Sequence, residues 1–157
     1  MACTSRPGPA DLPRLFSDLV RCETRLYNAL NDRFRVRHGI VTSQFECLRF
    51  LREHPGSKVG DLAAEFAAGI GAMSKGVDRL ENNGWVQRQP NPADRRSSLL
   101  VLTEDGLRLV NAAEITFTET LTELLASPLG TAMPAVATAL AHLRATLEHA
   151  QIGLPVG

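Results

Sequence analysis

Aromatic residues are scarce in this chain of 157 residues: one Trp, one Tyr and six Phe, 5% of the total. A core must then be built chiefly from Leu, Ala and Val within a hydrophobic share of 44%, and that mixture favours helices. Excess charge is missing too. Seventeen basic residues face seventeen acidic ones, for a formal net charge of 0 and a pI near 6.9. Such a chain is no general polyanion binder, so any nucleic-acid surface has to be a local basic patch balanced by acid elsewhere. Cysteine is thin: Cys3, Cys22 and Cys47 are odd in number, widely spaced and form no CxxC pair. That argues against a disulfide scaffold or a zinc knuckle and fits a reducing cytoplasm. The four histidines, His38, His54, His142 and His149, form no tight cluster with Cys or Asp, so neither a metal nor a cofactor is expected. The start, MACTSRPGPADLP, lacks the apolar segment of a signal peptide. No apolar run is expected to approach the ~20 residues of a membrane helix. No GxSxG, HExxH or paired acid–His constellation is visible, so no catalytic residue is expected and the chain does not read as an enzyme.

What is there reads as helices around one small ribbon. Residues 1–11, with Pro7, Gly8 and Pro9, read as a flexible tail. From 12 to 38, Leu12, Leu15, Leu19, Cys22, Leu26, Leu30 and Phe34 recur at three- and four-residue steps and make one apolar stripe. A helix follows at TSQFECLRFLREHPG, where Ser43 and Glu46 have capping-box spacing and Phe45, Leu48 and Leu51 face a core. A short helix over 59–67 turns Leu62 and Phe66 inward. Another over about 70–82 aligns Met73, Val77 and Leu80, and Asn82-Asn83-Gly84 supplies its terminator. The period then changes. WVQRQ alternates, PNPADRRS is turn-rich and SLLVLT is a second strand, which together make a β-hairpin with a long tip. Thr103 is the expected N-cap of the next helix, with Glu104 and Asp105 at its positive end. Leu107, Val110, Phe117, Leu121 and Leu124 form its stripe, Ser127-Pro128-Leu129-Gly130 breaks it, and a last helix aligns Val136, Leu140, Leu143 and Leu147.

The fold class is therefore mainly α. The segment 40–102 has the order of a winged helix-turn-helix, flanked by helices over 12–38 and 103–150. The flanking stripes have little partner surface in their own chain, which points to a second chain. In a helix-turn-helix the second helix enters the major groove by its N-terminal part. Its outward residues here are Gly71, Ala72, Ser74 and Lys75, with Arg79 one turn on. Ser74 and Lys75 carry hydrogen-bonding groups for base edges or phosphates, while Gly71 and Ala72 permit close approach. A solvated helix face with ordinary charges would look the same, so the hairpin tip carries more weight. Arg95 and Arg96 stand adjacent on it after Asp94. A thin ribbon bearing arginine suits a narrow minor groove, where the negative potential is highest. Asp94 is placed to pair with an arginine and pre-orient it. GIGAMSK imitates a dinucleotide fingerprint, but no strand precedes it.

PNPADRRSSLLVLTEDG resembles the wing signature of the MarR/SlyA family of bacterial transcription regulators, at Asp94, Arg96, Leu102, Thr103 and Gly106. VGDLAAEF and MSKGVDRLENNGWVQR fall upstream in the family's order, and the resemblance spans about 12–150. It implies a homodimer joined through its N- and C-terminal helices, on a pseudo-palindromic double-stranded operator. Arg95 and Arg96 would lie in the minor groove, Ser74 and Lys75 in the major groove. It further implies a repressor released by a small, often aromatic effector. One branch of the family senses peroxides through a cysteine in the first helix, and Cys22 lies there near Tyr27, though on the apolar stripe. The recognition helix departs from the common pattern in its glycines, Gly69, Gly71 and Gly76. Gly76 costs ~1 kcal/mol against alanine unless it serves close packing. A helical protein-interaction module would explain the stripes but not the Asp-Arg-Arg tip.

Overall fold

The structure, a computed structural model, describes residues 11–155. The expected tail and Cys3 lie outside them, except that Asp11 already opens the first helix. In chain order the elements are α1 (Asp11–His38), α2 (Thr42–Glu53), α3 (Val59–Glu65), α4 (Ile70–Asn82), β1 (Val86–Pro90), β2 (Ser98–Leu102), α5 (Glu104–Leu129) and α6 (Met133–His149), with a 3-10 turn at Gly130–Ala132.

α1 begins with an acid, Asp11, and ends with Arg35, Arg37 and His38, an arrangement that opposes the helix dipole at both ends. Gly39 stops it with φ +67. Only its C-terminal half is packed. Leu30 and Phe34 are buried, whereas Leu12, Leu15, Phe16 and Val20 stay exposed. Three of the scarce aromatics are central. Phe34, Phe45 and Phe117 form a ladder from α1 through α2 to α5, with ring centroids 4.8 and 4.9 Å apart, and such pairs add ~0.5–1.5 kcal/mol beyond burial. The core is made chiefly of Leu, Ala and Val, as expected, with Phe34 and Phe45 buried among them.

The capping box expected from Ser43 and Glu46 does not form. Val41 is the N-cap, the Gln44 side chain accepts its N–H at 3.0 Å, and Asn31 Oδ1 on α1 accepts the Thr42 N–H at 2.8 Å. A long-range amide therefore does what a local hydroxyl was expected to do. α3 is two residues shorter than expected. It closes through Ala67, a non-glycine residue at φ +46. α4 matches its expected bounds, with Met73, Val77 and Leu80 buried, and Gly84 at φ +78 turns the chain into the ribbon.

β1 and β2 pair antiparallel with Arg88 opposite Leu100 and Pro90 opposite Ser98. Leu100 is wholly buried, and its N–H reaches the Ser57 carbonyl at 2.8 Å. The α2–α3 loop thus covers the second edge of β2 at that point. Leu99, Val101 and Leu102 are only partly buried, so Leu100 is the strand's one fully buried residue.

The base of the ribbon is clasped to α5. Thr103 Oγ1 accepts the Gly106 N–H at 3.0 Å and donates to the Gly84 carbonyl at 2.6 Å. The Trp85 carbonyl accepts the Thr103 N–H at 3.0 Å. A Cβ on Gly106 would stand 2.0 Å from that carbonyl oxygen, so no other residue fits. The face of α5 turned inward is Gly106, Val110, Ala113, Thr116 and Thr120. Leu107, expected on the stripe, is exposed, because Gly106 at the clasp sets the rotation of the helix. α5 runs through Pro128 to Leu129, and the break comes at Gly130, φ +46.

α6 buries no residue, and Leu140, Leu143 and Leu147 are exposed. One sequence expectation fails here. Residues 124–143 carry no Asp, Glu, Lys or Arg, and the α5–α6 run holds an 18-residue window of mean hydropathy 1.5, none of it buried. Such a stretch has the length and composition of a membrane span, although Pro128, Gly130 and Pro134 interrupt it.

Candidate nucleic-acid interface

Two elements present polar and basic groups on one side of the molecule, α4 and the ribbon tip at 91–97. The tip is a built turn. Asn91 Oδ1 accepts the Ala93 N–H at 3.0 Å, and Asp94 Oδ1 accepts the Arg96 N–H at 2.9 Å. The Asn91 amide nitrogen donates to Ser97 Oγ at 2.9 Å. Asn and Asp are turn residues for this reason, because their side chains satisfy backbone amides two residues on. Asp94 therefore acts on the backbone of Arg96. The expected pairing with an arginine side chain does not occur, and among the described residues neither Arg95 nor Arg96 has an ion-pair partner. Both are exposed. Two guanidinium groups stand free on a tip whose backbone donors at Ala93, Asp94, Arg96 and Ser97 are hydrogen-bonded within the turn.

Across from the tip, Ser74 on α4 shares a cleft of ≈ 440 Å³ with Lys58, Gly60 and Asp61 at the start of α3, and with Arg88, Arg96 and Ser97 of the ribbon. The fold thus brings together Ser74 and Arg96, picked from separate motifs. Gly71, Ala72, Lys75 and Arg79 are exposed along α4. Arg79 and Ala72 do not face this cleft. They border a second groove, ≈ 290 Å³, between α4 and the start of α2, with Val41, Cys47, Met73 and Gly76. Space is open around Gly71 and Gly76, so neither glycine is required by internal packing. The idea that Gly76 serves a close contact inside the fold is set aside.

Sequence reading missed the residue that joins the two elements. Arg88 on β1 reaches back to α4, where it pairs with Asp78 at 2.7 Å and also with Glu81. Burial opposes its charge, but the hydrogen bonds and attraction of the two carboxylates prevail and hold its pKa above the ordinary arginine value. The pair Asp78 and Glu81, spaced i and i+3, is visible in the sequence. Its partner is not, because the pairing depends on how the ribbon folds back.

Of the two described cysteines, Cys22 is less covered than its place on the apolar stripe suggests. It is exposed, in the N-terminal part of α1 whose stripe is not covered. Cys47 lies 4.0 Å from Met73 Sδ, and burial, reinforced by the Glu46 charge, pushes its thiol up to about 11. It is therefore almost wholly protonated, and unreactive, near neutral pH.

Comparison with known proteins agrees with this arrangement. The sequence profile of the MarR family matches residues 40–98, which take in α2, α3, α4 and the tip. The multiple antibiotic resistance protein MarR of Salmonella typhimurium is 31% identical over 98 residues, 59% of this chain and 68% of that protein. An uncharacterised helix-turn-helix regulator of Mycobacterium bovis is 35% identical over 115 residues, 73% of this chain and 79% of that one. Among solved structures, a MarR family transcriptional regulator of Streptomyces coelicolor in complex with DNA superposes with TM-score 0.82 at 21% identity, covering 98% of both chains. A variant of Escherichia coli MarR complexed with operator DNA gives TM-score 0.74 at 25% identity, covering 90% of this chain and 99% of that one. With the winged centre, its free arginine tip and these relatives in agreement, the chain belongs to the MarR family and is a winged-helix, DNA-binding transcriptional regulator.

Proposed function

We propose that this protein is a homodimeric repressor that grips a pseudo-palindromic operator and lets go when a small aromatic effector binds. In this reading the N-terminal part of α4 enters the major groove, with Gly71, Ala72, Ser74, Lys75 and Arg79 along the duplex. The tip carries Arg95 and Arg96 into the flanking minor groove, with Asp94 shaping the turn beneath them. Two copies set their α4 helices one helical turn apart, about 34–36 Å. The exposed apolar sides of α1 and α6 support the dimer, since a surface of this kind needs a partner. The α2–α4 groove has room for one aromatic ring. A regulator of this type works where the chromosome is, in the bacterial cytoplasm.

One observation carries the reading: two exposed arginines whose guanidinium groups have no ion-pair partner among the described residues, on a turn whose own hydrogen bonds do not use those groups. Free guanidinium groups cost nothing to detach before they meet phosphate or a minor-groove edge. Arg95→Ala combined with Arg96→Ala is expected to leave the thermal melt unchanged and weaken DNA binding at least tenfold at fixed salt. Binding measured by fluorescence anisotropy on a genomic fragment retained by the wild-type protein tests this. Undiminished affinity in the double variant would refute the wing assignment.

A further inference from the structure

The first turn of α4 holds a residue that polarity-based reading passes over. Ile70 is the first residue of the helix and is 66% exposed. It follows the open, uncapped Gly69 and precedes Gly71 and Ala72, none of which can hydrogen-bond through a side chain. Covering a large apolar side chain at a helix tip with another apolar group is favourable. On the same helix Met73, Val77 and Leu80 turn into the core and Ile70 does not. Ile70 stands four residues before Ser74, and residues at that spacing share a helix face. Ser74 borders the cleft that ends at Arg96. Ile70 also stands three residues before Met73 and seven before Val77, so it lies at the edge between the buried stripe and the Ser74 side of α4, left exposed where the helix begins.

In the major groove, one base feature is apolar, the C5-methyl group of thymine. We propose that Ile70 is a specificity-determining residue that reads a thymine methyl in each operator half-site. Ser74 and Lys75 supply the polar contacts behind it, and Arg96 holds the flanking groove. The assignment rests on the placement of α4 in the major groove proposed above.

The experiment removes the methyl without altering base pairing. A preferred duplex is first selected from random DNA with the wild-type protein. Each thymine of one half-site is then replaced in turn by deoxyuridine, and binding is compared for wild type, Ile70→Ala and Ile70→Val. Wild type should lose about fourfold at one or two thymines, the factor that burying one methyl group is worth. Ile70→Ala should bind the parent duplex more weakly and show no loss at those thymines, and Ile70→Val should keep the sensitivity. Equal methyl sensitivity in wild type and Ile70→Ala, or none in wild type, would overturn the assignment alone. A wild-type protein that enriches no duplex overturns the DNA-binding reading and this assignment with it. Because Ile70 is exposed, its variants should melt with the wild type, which separates lost reading from lost fold.

Discussion

The winged centre and the terminal helices treat apolar residues in opposite ways. In the centre, Phe45, Leu48, Leu51, Leu62, Val77 and Leu100 are each wholly buried within one chain. In α6 nothing is buried, although its leucines repeat as regularly as those of the centre. Periodicity therefore reports that a face will be covered and says nothing about which chain covers it. The ribbon clasp explains why the centre needs no help. Its hydrogen bonds and the Gly106 contact join β1, β2 and α5 over a few residues, so the burial of Leu100 and Val110 is fixed together.

Four variants separate these regions. Gly106→Val should have the largest effect, because its Cβ would overlap the Trp85 carbonyl. A loss of about 3 kcal/mol or more is expected from overpacking at a rigid backbone site, seen as a lower urea midpoint or as insoluble protein. Next, Leu143→Glu with Leu147→Glu should split the proposed dimer while the centre keeps its helical signal. Sedimentation velocity reads the first and circular dichroism the second, and a dimer that persists would show that α6 is not its seam. Third, Arg88→Met should cost under about 1 kcal/mol, since the pairs it breaks are partly solvated. Its effect should fall instead on DNA affinity, by a few-fold, as the tip loses its tie to α4. An unchanged affinity would mean that the strand pairing alone orients the tip. The smallest effect expected is a gain. Gly76→Ala meets open space and should raise stability by ~1 kcal/mol through helix propensity, measurable as a higher melting temperature. A loss there would show that the groove between α2 and α4 closes in solution.

Much of this was legible because its cause is local. Thr103 caps α5 with its own hydroxyl, Gly84 takes the left-handed turn, and Met73, Val77 and Leu80 follow one helical period. Where reading failed, the cause lay at a distance. Asn31 caps α2 from another helix, which no spacing around Ser43 and Glu46 could show. Arg88 finds Asp78 and Glu81 only after the ribbon folds back. Leu107 fits the period of α5 but loses its place to Gly106, whose position is dictated by the Trp85 carbonyl. Cys22 fits the stripe of α1, yet that stripe is buried only from Leu30 onward. Asp94 was assigned to the right turn and the wrong partner, because a carboxylate beside arginines invites a charge pair while a tight turn offers it a backbone amide.

The clasp also has a mechanical meaning. α5 spans Glu104–Leu129, and 26 residues of helix measure about 39 Å at 1.5 Å per residue. Its first residues are bonded to the foot of the ribbon, and its last lead into the uncovered helix α6. A rod of that length, tilted by about 10° around its far end, displaces its near end by about 7 Å. That is comparable to the width of a minor groove. The glycine that admits the Trp85 carbonyl rivets the ribbon's foot to that rod, so any tilt of α5 would carry the ribbon with it.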